Sequence, residues 1–259
     1  MTSIHTLRNY SRGSTAVESA TAPDATPHPV RGAGRARTAL FAALLVAPTL
    51  ALAAAGQVTH LSGPLFALGP DGARRVLAVG SEVNQGDTLI TEARTYARVK
   101  FADQGDVTLR PDTQLKVERY AFNQAKPDED SAVLGLFKGA LRSLTGLIGK
   151  RGNKDAYRMN TATATIGIRG TTFGATVCPS PACPPDLPPG TYVDVSEGAI
   201  QVTPPGATAG LLVSAGQFGF APPAGTPQLL ANDPGVLKSF QPPPAFTQQG
   251  NSSDPCEVR

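Results

Sequence analysis

The 259-residue chain has no tryptophan, only 6% aromatic residues, three histidines and three cysteines. Each shortage removes a class of function. Only His60 is left once an amino-terminal leader is removed, so neither a histidine-based triad nor a histidine-rich metal site can be assembled. Cys178 and Cys183 bracket Pro-Ser-Pro-Ala, and no second Cys or His pair exists to complete a metal site from that half. In an oxidising compartment these two could instead close a small disulfide ring, worth about 2 kcal/mol. Cys256 is left over, free or open to an intermolecular bond. Carboxylates are scattered and do not by themselves mark or exclude a glycosidase-like pair. No Gly-rich phosphate loop follows a strand and opens a helix. The expectation is no enzyme, no cofactor and no metal.

Charge of one sign is scarce in the body of the chain. The whole sequence carries +3, but Arg8, Arg12, Arg31, Arg35 and Arg37 face only Glu18 and Asp24 in the first 55 residues. From Gly56 onward 18 basic residues balance 18 acidic ones. A neutral body offers no general attraction to nucleic acid. Long apolar runs are also missing. Ala39 to Ala47 reaches residue 55 only by including Pro48 and Thr49, short of the roughly 20 apolar residues of a membrane helix. Arg31, Arg35 and Arg37 precede this run, and Ala51-Leu52-Ala53 and Ala53-Ala54-Ala55 follow it as small-residue cleavage sites. That is the form of a secretory signal peptide. The expectation is periplasmic export with no stable transmembrane anchor after cleavage; the alternative is an inner-membrane anchor formed by an uncleaved signal. Residues 1–55 are then a leader and signal peptide, whose Ser/Thr/Pro-rich first 30 residues read either as a disordered leader or as sequence ahead of the true start.

What the chain does have is 27 Gly, 24 Pro and period-two alternation. In Tyr96 to Phe101, Ala97, Val99 and Phe101 share one face and Arg98 and Lys100 the other. The same alternation recurs in Val107 to Leu109, Leu115 to Glu118, Phe173 to Val177, Val193 to Val195 and Ile200 to Val202. Turn pairs such as Asp71-Gly72, Gln104-Gly105, Glu197-Gly198 and Ala215-Gly216 fall between them. This predicts an all-β fold, a single domain of short, mostly antiparallel strands over 56–220, as a β-sandwich or β-solenoid. Leu134, Phe137, Leu141, Leu144 and Ile148 show helical spacing, but Gly135, Gly139, Gly146 and Gly149 interrupt it, which favours a strand followed by a turn. Residues 221–259 carry eight Pro and little periodic apolar content, which predicts a disordered tail.

Five segments in order resemble the FecR domain family. They are Gly80-x5-Gly86-Asp87-Thr88-Leu89-Ile90-Thr91, Ala97 to Asp103 followed by Val107 to Thr113, Thr161 to Thr171, Val195 to Gly198, and Ala215-Gly216-Gln217. Thr161 to Thr171 is similar to the signature T-P-x-A-x-x-G-I-R-G-T, with Ala162 in place of Pro; Gln104-Gly105 also replaces the family's Gly-Ser. The resemblance implies a periplasmic all-β sensory or scaffolding module without an active site. Founding members of that family regulate a cytoplasmic sigma factor. The first 37 residues here lack the helical, Trp-containing segment of those regulators, so the resemblance implies the periplasmic module working alone.

Two groups of residues are candidates for interaction. Within Gly167, Ile168, Arg169, Gly170 and Thr171, Arg169 could face a carboxylate, phosphate or backbone of a partner, or lock a turn by bonding to nearby carbonyls or to an acid such as Asp87 or Glu197. Between Lys138 and Arg169 seven basic residues stand against Asp155 alone. Of these, Lys150, Arg151, Lys154 and Arg158 could meet an anionic surface, or be solvated and paired with Asp128, Glu129 and Asp130. The expected function is a non-enzymatic periplasmic module that binds an envelope protein or glycan in signalling or assembly. The alternative is a structural or secretion-linked envelope scaffold attached to an anionic surface or to peptidoglycan.

Overall fold

The computed structural model describes residues 54–153, 155–180, 183 and 187–235. The leader over 1–53, Lys154 and Cys256 fall outside these residues. Alternation becomes strand throughout: in β6 (Ala97–Phe101) the residues Ala97, Val99 and Phe101 are buried and Lys100 is exposed. The strands form two sheets. The first runs β4 (Glu82–Val83), β1 (Gly56–Leu61), β6, β7 (Asp106–Leu109), β9 (Ser131–Leu144), β12 (Thr172–Cys178), β13 (Gly190–Glu197), β16 (Phe218–Ala221), β17 (Gln228–Leu230). The second runs β3 (Arg74–Leu77), β2 (Leu65–Leu68), β5 (Thr88–Thr91), β8 (Gln114–Ala121), β9, β10 (Tyr157–Asn160), β11 (Thr165–Ile168), β14 (Ala199–Thr203), β15 (Leu211–Ser214). Every pairing is antiparallel except β9 with β10.

Both sheets contain β9, because this strand changes sheet halfway along. Its residues 131–138 pair with β8 and β10, and its residues 139–144 with β7 and β12. The corner is Gly139, at φ +82°. A side chain there would collide with Thr113 Oγ1 and lie 2.6 Å from Thr113 Cα. The Thr113 hydroxyl fastens the bend, donating to Ala140 O and accepting from Ala140 N, both at 3.0 Å. Strands that switch sheets at such bends make the corners of a sandwich. The bend also reverses the inward-facing parity. Leu134 and Leu136 are buried before it, Leu141 and Ser143 after it. An odd separation of seven residues between Leu134 and Leu141 therefore leaves both inside, whereas Phe137 and Leu144, which complete the helical spacing in this strand, are exposed.

One hydrophobic cluster joins the sheets: Leu65, Leu89, Leu115 and Leu136 from the second meet Val99, Leu109, Phe173 and Val193 from the first. Of the two architectures expected, this is the sandwich. Burial of each such side chain contributes about 1.5–3 kcal/mol. A second, smaller cluster lies on the first sheet's outer face. There Cys178, disulfide-bonded to Cys183, packs with Tyr192 and Phe220, whose rings are 4.7 Å apart. The ordered chain also passes Ala221 into the Pro-rich segment, where β17 pairs with β16 and Leu230 packs on this cluster. The segment expected as tail thus begins as an edge strand.

The same outer face carries a charged row set by register, Arg142 beside Gly174 beside Asp194. Arg142 reaches Asp194 at 3.1 Å and donates to Ser196 Oγ at 2.7 Å. It crosses β12 only because Gly174 leaves the space open; a Cβ there would overlap Asp194 Oδ1. Burial raises the Asp194 pKa above the ordinary carboxylate value, against the opposing pull of Arg142.

Gly139→Ala is expected to destabilise the domain by at least about 2 kcal/mol, from the left-handed backbone and the contact with Thr113, measured by urea unfolding. For Asp194 the raised pKa means the fold favours the neutral carboxyl. Its contribution to stability is therefore present below the usual carboxylate pKa and lost as pH rises through the raised one. Asp194→Asn should be no less stable than the parent at neutral pH. Its margin over the parent should shrink as unfolding is repeated down to about pH 4.

Candidate interaction site

Strand β11 supplies the centre of the segment singled out by the sequence. Ile166 and Ile168 point into the core and are fully buried, so Thr165 and Gly167 face outward, and the exposed Arg169 follows on the same side. Gly170 then adopts φ +65°, and Thr171 returns to the interior. Thr145 holds this return: its hydroxyl donates to Thr171 O at 2.6 Å and accepts from Thr171 N at 3.0 Å. Ile168, Gly170 and Thr171 therefore serve the fold. Gly167 is paired between β10 and β14, and Arg169 contacts Asp155 at the surface.

Gly167 has no left-handed backbone, and a Cβ built on it would meet nothing nearer than Gln201 O at 3.9 Å. Glycine inside a strand costs roughly 0.5–1 kcal/mol relative to alanine, with no steric or conformational return here. The register places Arg158, Gly167, Gln201 and Leu212 side by side across β10, β11, β14 and β15. Two shallow recesses of about 230 and 440 Å³ share Asp155, Gly167, Arg169 and Gln201 in their linings; Leu212 closes one, and Arg158, Thr165 and Thr203 line the other.

Arg169 does not lock a turn through Asp87 or Glu197. Asp87 is buried and bonded to Arg75, and accepts from Asn84 N at 2.8 Å. Glu197 accepts from the Thr172 hydroxyl at 3.4 Å. Arg169 comes within 3.8 Å of Asp155 instead, with both side chains about 60% exposed, a pairing of little energetic weight. Arg158 donates its Nε to Asp155 O at 3.0 Å and is exposed.

The basic cluster divides. Arg151 is committed to the fold: it pairs with the buried Asp130 at 3.3 Å, donates to Asn123 O and Gln124 O at 3.1 Å, and lies over the Phe122 ring. It clamps the turn after β9 onto the β8–β9 connection, a role visible in sequence only as an acid run opposite a basic run. Lys150 is exposed and, with Arg169, lines a recess of about 580 Å³ floored by Gly149, Gly152 and Gly170.

Sequence reasoning gave no role to the buried Asp103. Its carboxylate accepts from the Tyr120 hydroxyl at 3.0 Å, Gly105 N at 3.1 Å and Ile148 N at 3.2 Å. Burial raises the pKa of Tyr120 and of Tyr157, whose hydroxyl bonds to Ser143, so both phenols stay protonated and the Tyr120 hydroxyl donates to Asp103. Among the described residues no group of three or more His, Cys, Asp or Glu side chains is arranged to hold a metal ion.

No curated protein matches the chain. Two crystal structures, at 1.65 and 2.50 Å, of a protein provisionally assigned as an anti-sigma factor from Parabacteroides distasonis are each 13% identical to it. They match 56% of this chain and 60% of their own, with a TM-score of 0.41. A cell surface anchoring domain is 30% identical over 24% of this chain and 80% of its own, with a TM-score of 0.23. These structural overlaps are too low to carry a functional conclusion. The sequence of residues 87–201 matches the family described as FecR protein. That stretch runs from the buried Asp87 through the bend of β9 and the Gly167 strand to Gln201. Over residues 87–201 the chain is similar to the FecR protein family.

Proposed function

We propose that this protein is a non-enzymatic binding module of the periplasm, acting in envelope signalling or assembly through a protein partner. The match of residues 87–201 to the FecR protein family carries the reading, since the resemblance to that family implies a sensory or scaffolding module without an active site. The Cys178–Cys183 disulfide supports an oxidising compartment, because thiols in the bacterial cytosol are kept reduced. Packing of Cys178 against Tyr192 and Phe220 ties that bond to the stability of the outer face of the first sheet. The outward row Arg158, Gly167, Gln201 and Leu212 supports a contact surface in the same domain.

The test is cell fractionation of the tagged chain in a bacterial host, with thiol alkylation before and after reduction and crosslinking in intact cells. The expected result is periplasmic recovery, protection of Cys178 and Cys183 from alkylation until reduction, and a discrete crosslinked adduct with an envelope protein. Cytoplasmic recovery with freely alkylated thiols, or the absence of any adduct, would overturn the reading.

A further inference from the structure

We infer that the strip running from Arg158 over Gly167 to Gln201 and Leu212 binds an extended acidic peptide segment of a partner protein. The inference rests on the binding-module reading and adds the place and the chemistry. Its first support is Gly167. A glycine within a strand marks a bulge, a tight bend or a close approach by another backbone. β11 pairs with β14 without a register shift, Gly167 is not left-handed, and its Cβ position is open to 3.9 Å. Close approach from outside is the reason that remains.

The second support is the rim. Arg158 and Arg169 present two guanidinium groups, held among the described residues by nothing stronger than contacts to Asp155, and Arg guanidinium recognises carboxylate bidentately. Gln201 offers one amide donor and one acceptor side, as a passing peptide backbone requires. Leu212, 61% exposed at the far end, offers an apolar foothold. A lone phosphate would use the arginines and leave Gln201 and Leu212 idle. No aromatic side chain lines either recess, so the stacking platform of a typical sugar site is missing. A peptide carrying a carboxylate and, further along, an apolar side chain uses every group in the row.

The experiment selects random phage-displayed peptides on the purified full-length chain, then titrates the synthetic winners against the parent, Gly167→Val, Gly167→Ala and the double variant Arg158→Ser/Arg169→Ser. Winners should be enriched in Asp and Glu. They should bind at least tenfold more weakly to Gly167→Val and to the double variant, while thermal unfolding midpoints do not fall. Failure to select peptides, winners without acidic enrichment, or unchanged affinity for Gly167→Val would overturn the inference. So would unfolding of both Gly167→Val and Gly167→Ala, since the glycine would then belong to the fold. Inorganic phosphate and phosphatidylglycerol vesicles serve as competitors. If either binds in the peptide's stead and loses that binding in the double variant, the strip is an anion site and not a peptide site. Tight peptides indifferent to Gly167 would sink this site and leave the binding module standing, whereas loss of the cellular adduct would sink the module itself.

Discussion

The reversal of β9 at Gly139 lets one strand lie at the centre of two sheets. On one side of the bend the strand is flanked by β8 and β10, on the other by β7 and β12, so eight partner strands of each sheet are assembled around a single backbone. A side chain at 139 would drive into Thr113, the residue whose hydroxyl satisfies both backbone groups of Ala140. If the bend opens, those groups lose their partners inside the protein, where an unmade hydrogen bond costs about 1–3 kcal/mol. The inward parity of Leu141 and Ser143 would also be lost. Packing and polar satisfaction thus depend on the same few atoms.

Threonines repeat this device at the other corners. Thr91 donates to Arg110 O at 2.6 Å and accepts from Thr113 N at 2.9 Å, as Thr113 does with Ala140 and Thr145 with Thr171. The family-like segments end in Thr91, Thr113 and Thr171, all buried. For Thr91 and Thr113 the recurrence has a physical reason: a short hydroxyl-bearing side chain fits a crowded corner and bonds donor and acceptor together, with its β-branch suited to the strand; at Thr171 it is the backbone that is held, by the Thr145 hydroxyl. Much of the motif is therefore scaffold. This makes the residues in it that have no scaffold role the informative ones.

The alternating strands were legible because each has one buried face, as with Ala97, Val99 and Phe101 in β6 or Phe173 and Val177 in β12. Other features were not. β9 mimics a helix in its apolar spacing, because the parity reversal buries Leu134 and Leu141 seven residues apart while the apolar Phe137 and Leu144 between and after them are exposed. β3 has three exposed residues of four, and β17 two of three, so neither shows an alternation. The partner of Arg169 could not be read either. Its two sequence candidates, Asp87 and Glu197, are occupied by Arg75 and Thr172, contacts that depend on which strands become neighbours.

The basic run from Lys138 to Arg169 shows how folding converts composition into function. In sequence it is one patch of charge. In the structure Arg142 is drawn across Gly174 to Asp194, and Arg151 is drawn down to the buried Asp130. Asp130 is fully buried, so removing Arg151 would strand its charge. Lys150, Arg158 and Arg169 stay exposed on the outward side, and Arg169 lines recesses shared with each of the other two. A long-range attraction set by total charge would not separate these residues, and it would be weak for a chain whose body is neutral and screened by salt. What distinguishes Arg158 and Arg169 is position beside a glycine that the strand does not need. On the proposed reading, recognition at this surface is set by shape first, with charge selecting among the segments that fit.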